Sequence, residues 1–105
     1  MVKDYTIIGI GIFLKASKNK DYRERAYARI STLVNFLQMN SLVSRTMLEN
    51  VKEIPEDFRI RRSDLTEEGY AFTKAALDKW LRSQDRGKPP DDTAILEKEL
   101  KKIRS

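Results

Sequence analysis

Between Asp21 and Asn40 the apolar side chains Ala26, Ile30, Leu33 and Leu37 recur at steps of three and four, and Tyr22, Tyr27, Val34 and Phe36 widen the same stripe. That spacing follows the turn of an α-helix, so 21–40 should form a long amphipathic helix with one side buried against the rest of the chain. Asn40 or Ser41 ends it. Arg23, Arg25 and Arg29 then fall on the outward faces of its first turns, joined by Lys18 and Lys20 in the loop before it.

A second helix is expected after Thr66. This residue suits an N-cap, and Glu67 and Glu68 place acids in the first turn, where the helix dipole favours them. Phe72, Ala76 and Trp80, with Leu77 and Leu81, make its buried face as far as about Arg82. Gly87, Pro89 and Pro90 stop it and mark residues 84–91 as a linker. Asp91 or Asp92 would cap a last helix over 92–104, whose narrow stripe is Leu96, Leu100 and Ile103 with Ile95 beside them. In it Glu97 precedes Lys101 by four residues, the favourable order for an ion pair.

The remaining segments are shorter. In 42–63, Phe58 and Ile60 alternate with Arg59 and Arg61, which fits a strand with one face inward. A partner strand within Leu42–Leu48, joined through the polar loop "ENVKEIPED", would complete a β-hairpin, since Pro55 blocks regular pairing inside that loop. The run "DYTIIGIGIFLK" at 4–15 has three conceivable roles. A membrane span needs about 20 apolar residues, and this run is far shorter. A secretory signal would need a small-residue cleavage site, and lysines follow instead. Gly9 and Gly11 lack the third glycine, or the Gly-Lys-Ser/Thr ending, of a phosphate-binding loop. Core remains. β-Branched residues favour a strand, but so short a run also allows a buried helix capped by Asp4. The expected fold is a single α+β domain over 1–105, mostly helical, with a long helix, a small antiparallel β-hairpin, two C-terminal helices and an N-terminal strand or buried helix.

With no cysteine and no histidine among 105 residues, thiolate and imidazole metal sites, catalytic triads and Cys–His dyads are excluded. No cofactor and no metal are expected, and the chain reads as a cytoplasmic protein that is not an enzyme. Pro90-Asp91 and Glu99-x-Lys101 resemble the PD-(D/E)xK nuclease signature, but that chemistry needs the last two side chains on one side of a strand. In a helix they diverge by about 200°.

Charge is more informative. Residues 15–29 carry Lys15, Lys18, Lys20, Arg23, Arg25 and Arg29 against Asp21 and Glu24, and "RIRR" at 59–62 adds three more cations. Together these exceed the net charge of +5, so the rest of the chain is slightly acidic and the positive field is local. Such a field suits nucleic acid, an acidic protein surface, or solubility alone.

Two resemblances give these features a meaning. Small cytosolic chains without histidine or cysteine, rich in exposed charge and with endings like "DKWLRSQDRGKPPDD" and "LEKELKKIR", are similar to the immunity proteins of contact-dependent growth inhibition and related bacterial toxin systems. That likeness implies capture of one cognate toxin domain, such as a nuclease, by charge complementarity and buried aromatics, with its active site occluded. The acidic groups available to a basic toxin are Glu49, Glu53, Glu56 and Asp57 in the loop, Glu67 and Glu68 at one helix start, and Asp91 and Asp92 at the next. The second likeness spans 30–80: "LVNFLQMNSLVSR" followed by "FRIRRSDLTEEGYAFTKAALDKW" resembles the second half of a winged-helix regulator. It implies nucleic-acid binding, with Lys18, Lys20, Arg23, Arg25 and Arg29 facing phosphates or bases and Arg59, Arg61 and Arg62 gripping the backbone.

Overall fold

The structure is a computed structural model that describes residues 4–16 and 18–105. Its first described run is strand and helix in succession: Thr6–Gly9 form β1 and Ile10–Ala16 form α1. The first half is thus the expected strand and the second a helix, but Asp4 does not cap it: its carboxylate accepts the Ser63 N–H and Oγ–H at 3.0 and 2.7 Å, and the helix is only partly buried, with Ile12 66% exposed. Helix α2 follows at Lys20–Met39, then β2 at Arg59–Arg61, a single 3₁₀ turn at Arg62–Asp64, α3 at Glu67–Asp85 and α4 at Ala94–Arg104.

Local chemistry explains the helix ends. Asn19 Oδ1 accepts the Tyr22 N–H at 3.1 Å and starts α2. At its other end Ser41 adopts a left-handed φ of 60°, so that Ser41 N–H reaches Gln38 O at 3.3 Å and Leu42 N–H reaches Leu37 O at 2.9 Å. The last carbonyls of the helix are thereby satisfied. α3 begins as expected, with Thr66 Oγ1 accepting the Gly69 N–H at 3.0 Å. It ends by the same turn as α2, using Gly87 at a φ of 104° with Lys88 N–H on Ser83 O at 3.2 Å. α4 starts at Ala94, where Asp92 Oδ1 accepts the Ala94 N–H at 2.9 Å.

The sheet is small, antiparallel and two-stranded, but its pairing corrects one expectation. β2 pairs with β1, through Thr6↔Arg61, Ile8↔Ile60 and Gly9↔Arg59, and not with residues 42–48. In that segment only Val43 makes a bridge, to Leu65. The reason lies in α2. The Gln38 amide accepts the N–H groups of Met47 and Leu48 at 2.8 and 3.0 Å and donates to Leu48 O at 3.1 Å, so this main chain is satisfied by a side chain.

One core joins the elements. Ile8, Ile10, Ile30, Leu33, Leu37, Ile60, Phe72, Trp80 and Leu96 are among its buried members. Phe36 of α2 stacks on Phe72 of α3 with centroids 5.4 Å apart; burying such a ring contributes roughly 1.5–3 kcal/mol, and the stack about 0.5–1.5 kcal/mol more. Trp80 donates its indole N–H to Asp92 O at 2.7 Å, and Gln84 Nε2 donates to Pro89 O at 2.8 Å. These two bonds strap residues 86–93, the connection between α3 and α4, onto α3; the linker expected at 84–91 begins later because Gln84 and Asp85 belong to the helix.

The contacts also give directions. Arg29 and Asp85 lie at one end of the α2/α3 pair, and Leu42 and Gly69 at the other. Trp80 meets Asp92 while Glu68 meets Arg104. α2 and α4 are therefore both antiparallel to α3 and run in the same direction as each other.

Candidate functional site

Because α2 and α4 run in the same direction, a groove of about 1030 Å³ opens between the second half of α2 and the length of α4. Its floor is apolar where Phe36 and Leu100 meet it. Ser31, Thr32 and Asn35 form the α2 edge, Glu97 and Lys101 the α4 edge, and Val51 closes one side from the 42–58 loop. Met39 lines the groove with 76% of its surface exposed, and its Sδ accepts the Asn35 Nδ2–H at 3.2 Å. Methionine is also flexible enough to follow the shape of whatever covers it.

The charges around the groove differ in whether they are used. Arg104 is committed: Nη2 and Nε lie 2.9 and 3.2 Å from the Glu68 carboxylate, and Nη2 also donates to Asn40 O at 2.5 Å. The hydrogen bond from Arg104 to Glu68 holds that carboxyl below its ordinary range. Glu99, on the inner side of α4, is 7% exposed. Lys79 Nζ at 3.0 Å is the main cause that lowers its pKa, with Lys102 at 3.4 Å adding to it. Glu97 and Lys101, by contrast, line the groove and form no ion pair with each other among the described residues, so the pairing expected from their spacing is absent. Glu99 and Lys101 likewise part company around α4, one toward α3 and the other into the groove.

The eight expected partner-facing acids do not form one surface. Glu49, Glu53, Glu56 and Asp57 are exposed on the 42–58 loop. Glu67 pairs with Arg62 at 2.7 Å and Glu68 with Arg104. The N-cap position of α4 is Thr93, not Asp91 or Asp92; Asp92, one residue before it, accepts the Ala94 N–H, and Asp91 lines the groove. Of the eight, only Asp91 lines the groove.

The expected nucleic-acid residues also separate. Lys18 and Arg25 are exposed, and Lys20 is 3.9 Å from Glu24. Arg23 Nη1 donates to Leu14 O at 3.2 Å and so ties α2 to α1. Arg29 corrects the expectation of an outward face: it is 8% exposed, with Nη1 3.6 Å from Asp85 Oδ1, because the last turn of α3 closes over it. Its aliphatic stem is buried and its cation faces the negative end of α3. Arg59 is exposed. Arg61 lies 4.0 Å from Asp4 and 3.8 Å from Asp64, while Arg62 sits 4.1 Å above the Tyr70 ring.

Sequence reasoning missed three contributors. Asp64 is 1% exposed, accepts the Arg61 N–H at 2.8 Å and meets Arg45 at 2.6 Å, which anchors the loop start to β2. Gln38 positions the loop that carries Val51. Met39 was the one readable signal, an apolar side chain next to the polar end of a helix.

Among the described residues no group of three Asp or Glu side chains is placed to hold a metal ion, and no helix is long and apolar enough to cross a membrane. Comparison of the chain with protein-family models, with curated proteins and with solved structures finds no match.

Proposed function

We propose that this chain is a non-enzymatic protein-binding module of the toxin-immunity kind, which works in the cytoplasm by seating part of its cognate toxin in the α2/α4 groove and covering the toxin's active site. The groove carries this reading. It offers an apolar floor, an exposed and adaptable methionine and the unpaired charges of Asp91, Glu97 and Lys101, while Arg104 beside them and Glu99 on the inner side of α4 are matched within the fold. Those are the ingredients of a recognition site: apolar contacts for affinity, and charges at the rim for steering and register. The lack of histidine and cysteine supports binding over catalysis.

The test is protection of cells that express the toxin encoded beside this chain. The intact protein restores growth, Met39→Glu abolishes rescue, and Arg25→Glu, remote from the groove, preserves it. Failure of the intact protein to rescue defeats the proposal, as does substrate turnover by the purified chain that disappears on changing a single acid or lysine. The second reading, a winged-helix-like nucleic-acid binder, draws on the exposed cations Lys18, Arg25 and Arg59; it requires a duplex complex in gel shift at low salt that weakens steeply as salt is added.

A further inference from the structure

We infer that Tyr5 and Tyr70 form a modification site, at which a one-electron oxidant of the haem-peroxidase class joins the two rings by a carbon–carbon bond. The phenols already meet. The Tyr5 hydroxyl donates to the Tyr70 hydroxyl, and the rings stand edge to face at 74° with centroids 6.3 Å apart. Oxidised phenols couple at the ring carbons next to the hydroxyl-bearing carbon, and contact between the hydroxyls brings one such carbon from each ring to the same place. Main-chain bonds hold both residues there. Arg62 N–H donates to Tyr5 O at 2.9 Å, and Tyr70 N–H donates to Thr66 O at 2.9 Å. The Arg62 guanidinium at 4.1 Å and the Lys74 ammonium at 4.7 Å lie over the Tyr70 ring and restrain it.

Access and chemical balance both permit the step. Tyr5 is 46% exposed, so an oxidant takes an electron from it without entering the core. No cysteine competes, because the chain has none. Each phenol gives up one electron and one proton, and the two phenoxyl radicals pair to form the new bond. The hydrogens at the coupling carbons then move to the oxygens and restore both phenols. Hydrogen peroxide, the co-reactant of the oxidant, takes up the two electrons and two protons and leaves as two waters. Tyr22 and Tyr27, the other tyrosines, lie five residues apart on α2 and so about 140° apart around its axis, which keeps them from pairing with each other. The product of the Tyr5–Tyr70 coupling bolts the residue before β1 to the first turn of α3 and closes the chain between them into a covalent loop.

The experiment treats the dilute protein with a haem peroxidase and hydrogen peroxide, and reads dityrosine fluorescence, the mass of the monomer and its peptide map. A monomer lighter by two hydrogen atoms is expected, with the link between the peptides that carry Tyr5 and Tyr70. Tyr5→Phe and Tyr70→Phe, each checked for folding by circular dichroism, should lower the monomer yield at least about tenfold, since no second phenol is held against the first. Tyr22→Phe combined with Tyr27→Phe should leave it unchanged. The linked protein should melt roughly 15 °C or more above the unlinked one, because so large a loop stays closed in the unfolded chain. Absence of coupling in the intact chain overturns the inference, as do full yield in Tyr5→Phe, coupling between molecules only, or a link that leaves the melting temperature unchanged. The peptide map decides even where a variant fails to fold: a link that maps to Tyr22 or Tyr27 overturns the assignment.

Discussion

Gly69, in the first turn of α3, packs so closely on Leu42 that a methyl group on its Cα would lie 2.0 Å from the Leu42 carbonyl oxygen. That oxygen also accepts Thr66 N–H at 3.0 Å and Thr66 Oγ1–H at 3.2 Å, so it cannot move aside without breaking the start of α3. Gly69→Ala should therefore destabilise the fold by at least about 1–3 kcal/mol, the usual cost of overpacking, although alanine is the better helix former. Denaturant unfolding of the two proteins checks this.

Ser41→Gly should act in the opposite direction. An L-residue in the left-handed region costs roughly 1–2 kcal/mol, part of which the unfolded-state entropy of glycine takes back. A gain of about 0.5–1 kcal/mol is expected in the same assay. α3 already uses glycine for the equivalent turn, at Gly87.

Gln38→Ala removes three hydrogen bonds that hold residues 47 and 48. The expected loss is about 2–3 kcal/mol, with two main-chain N–H groups left to find water. Hydrogen exchange at Met47 and Leu48 should accelerate more than in the core of α3, because the loop is released before the helices are.

Acid should weaken the α3/α4 contact. The carboxyls of Glu99 and Glu68 are held below their ordinary range by hydrogen bonds from Lys79 and Arg104 respectively. A depressed pKa in the folded state adds stability above the unfolded value and loses it as pH falls through the folded one. Melting temperature should thus drop below the ordinary glutamate range of about 4.3. Glu99→Gln should lower it at neutral pH and leave a shallower acid limb. An acid limb unchanged by this substitution contradicts the assignment.

The helices were legible because their information is local: a stripe such as Ala26–Ile30–Leu33–Leu37, a cap such as Thr66, a stop such as Gly87. The strand pairing was not. Phe58 to Arg61 announce an extended segment, but nothing within a few residues says whether its neighbour is 42–48 or 6–9, and the Gln38 amide settles that competition from another element. Arg29 misled for a related reason: the helical wheel puts it outside α2, and only the arrival of α3 covers it. The groove was the least legible of all. It lies between stripes on α2 and α4 that are more than fifty residues apart, and each stripe alone looks like an ordinary polar flank.

The pairing of β1 with β2 has a further consequence during synthesis. Ile60 follows its partner Ile8 by 52 residues, so at about 5–20 residues per second the earlier strand waits several seconds with its edge open. α2 is complete long before then and can fold on its own local contacts. The sheet can therefore close only after α1 and α2 have been made, and it does so before α3 and α4 arrive to cover the other side of the core.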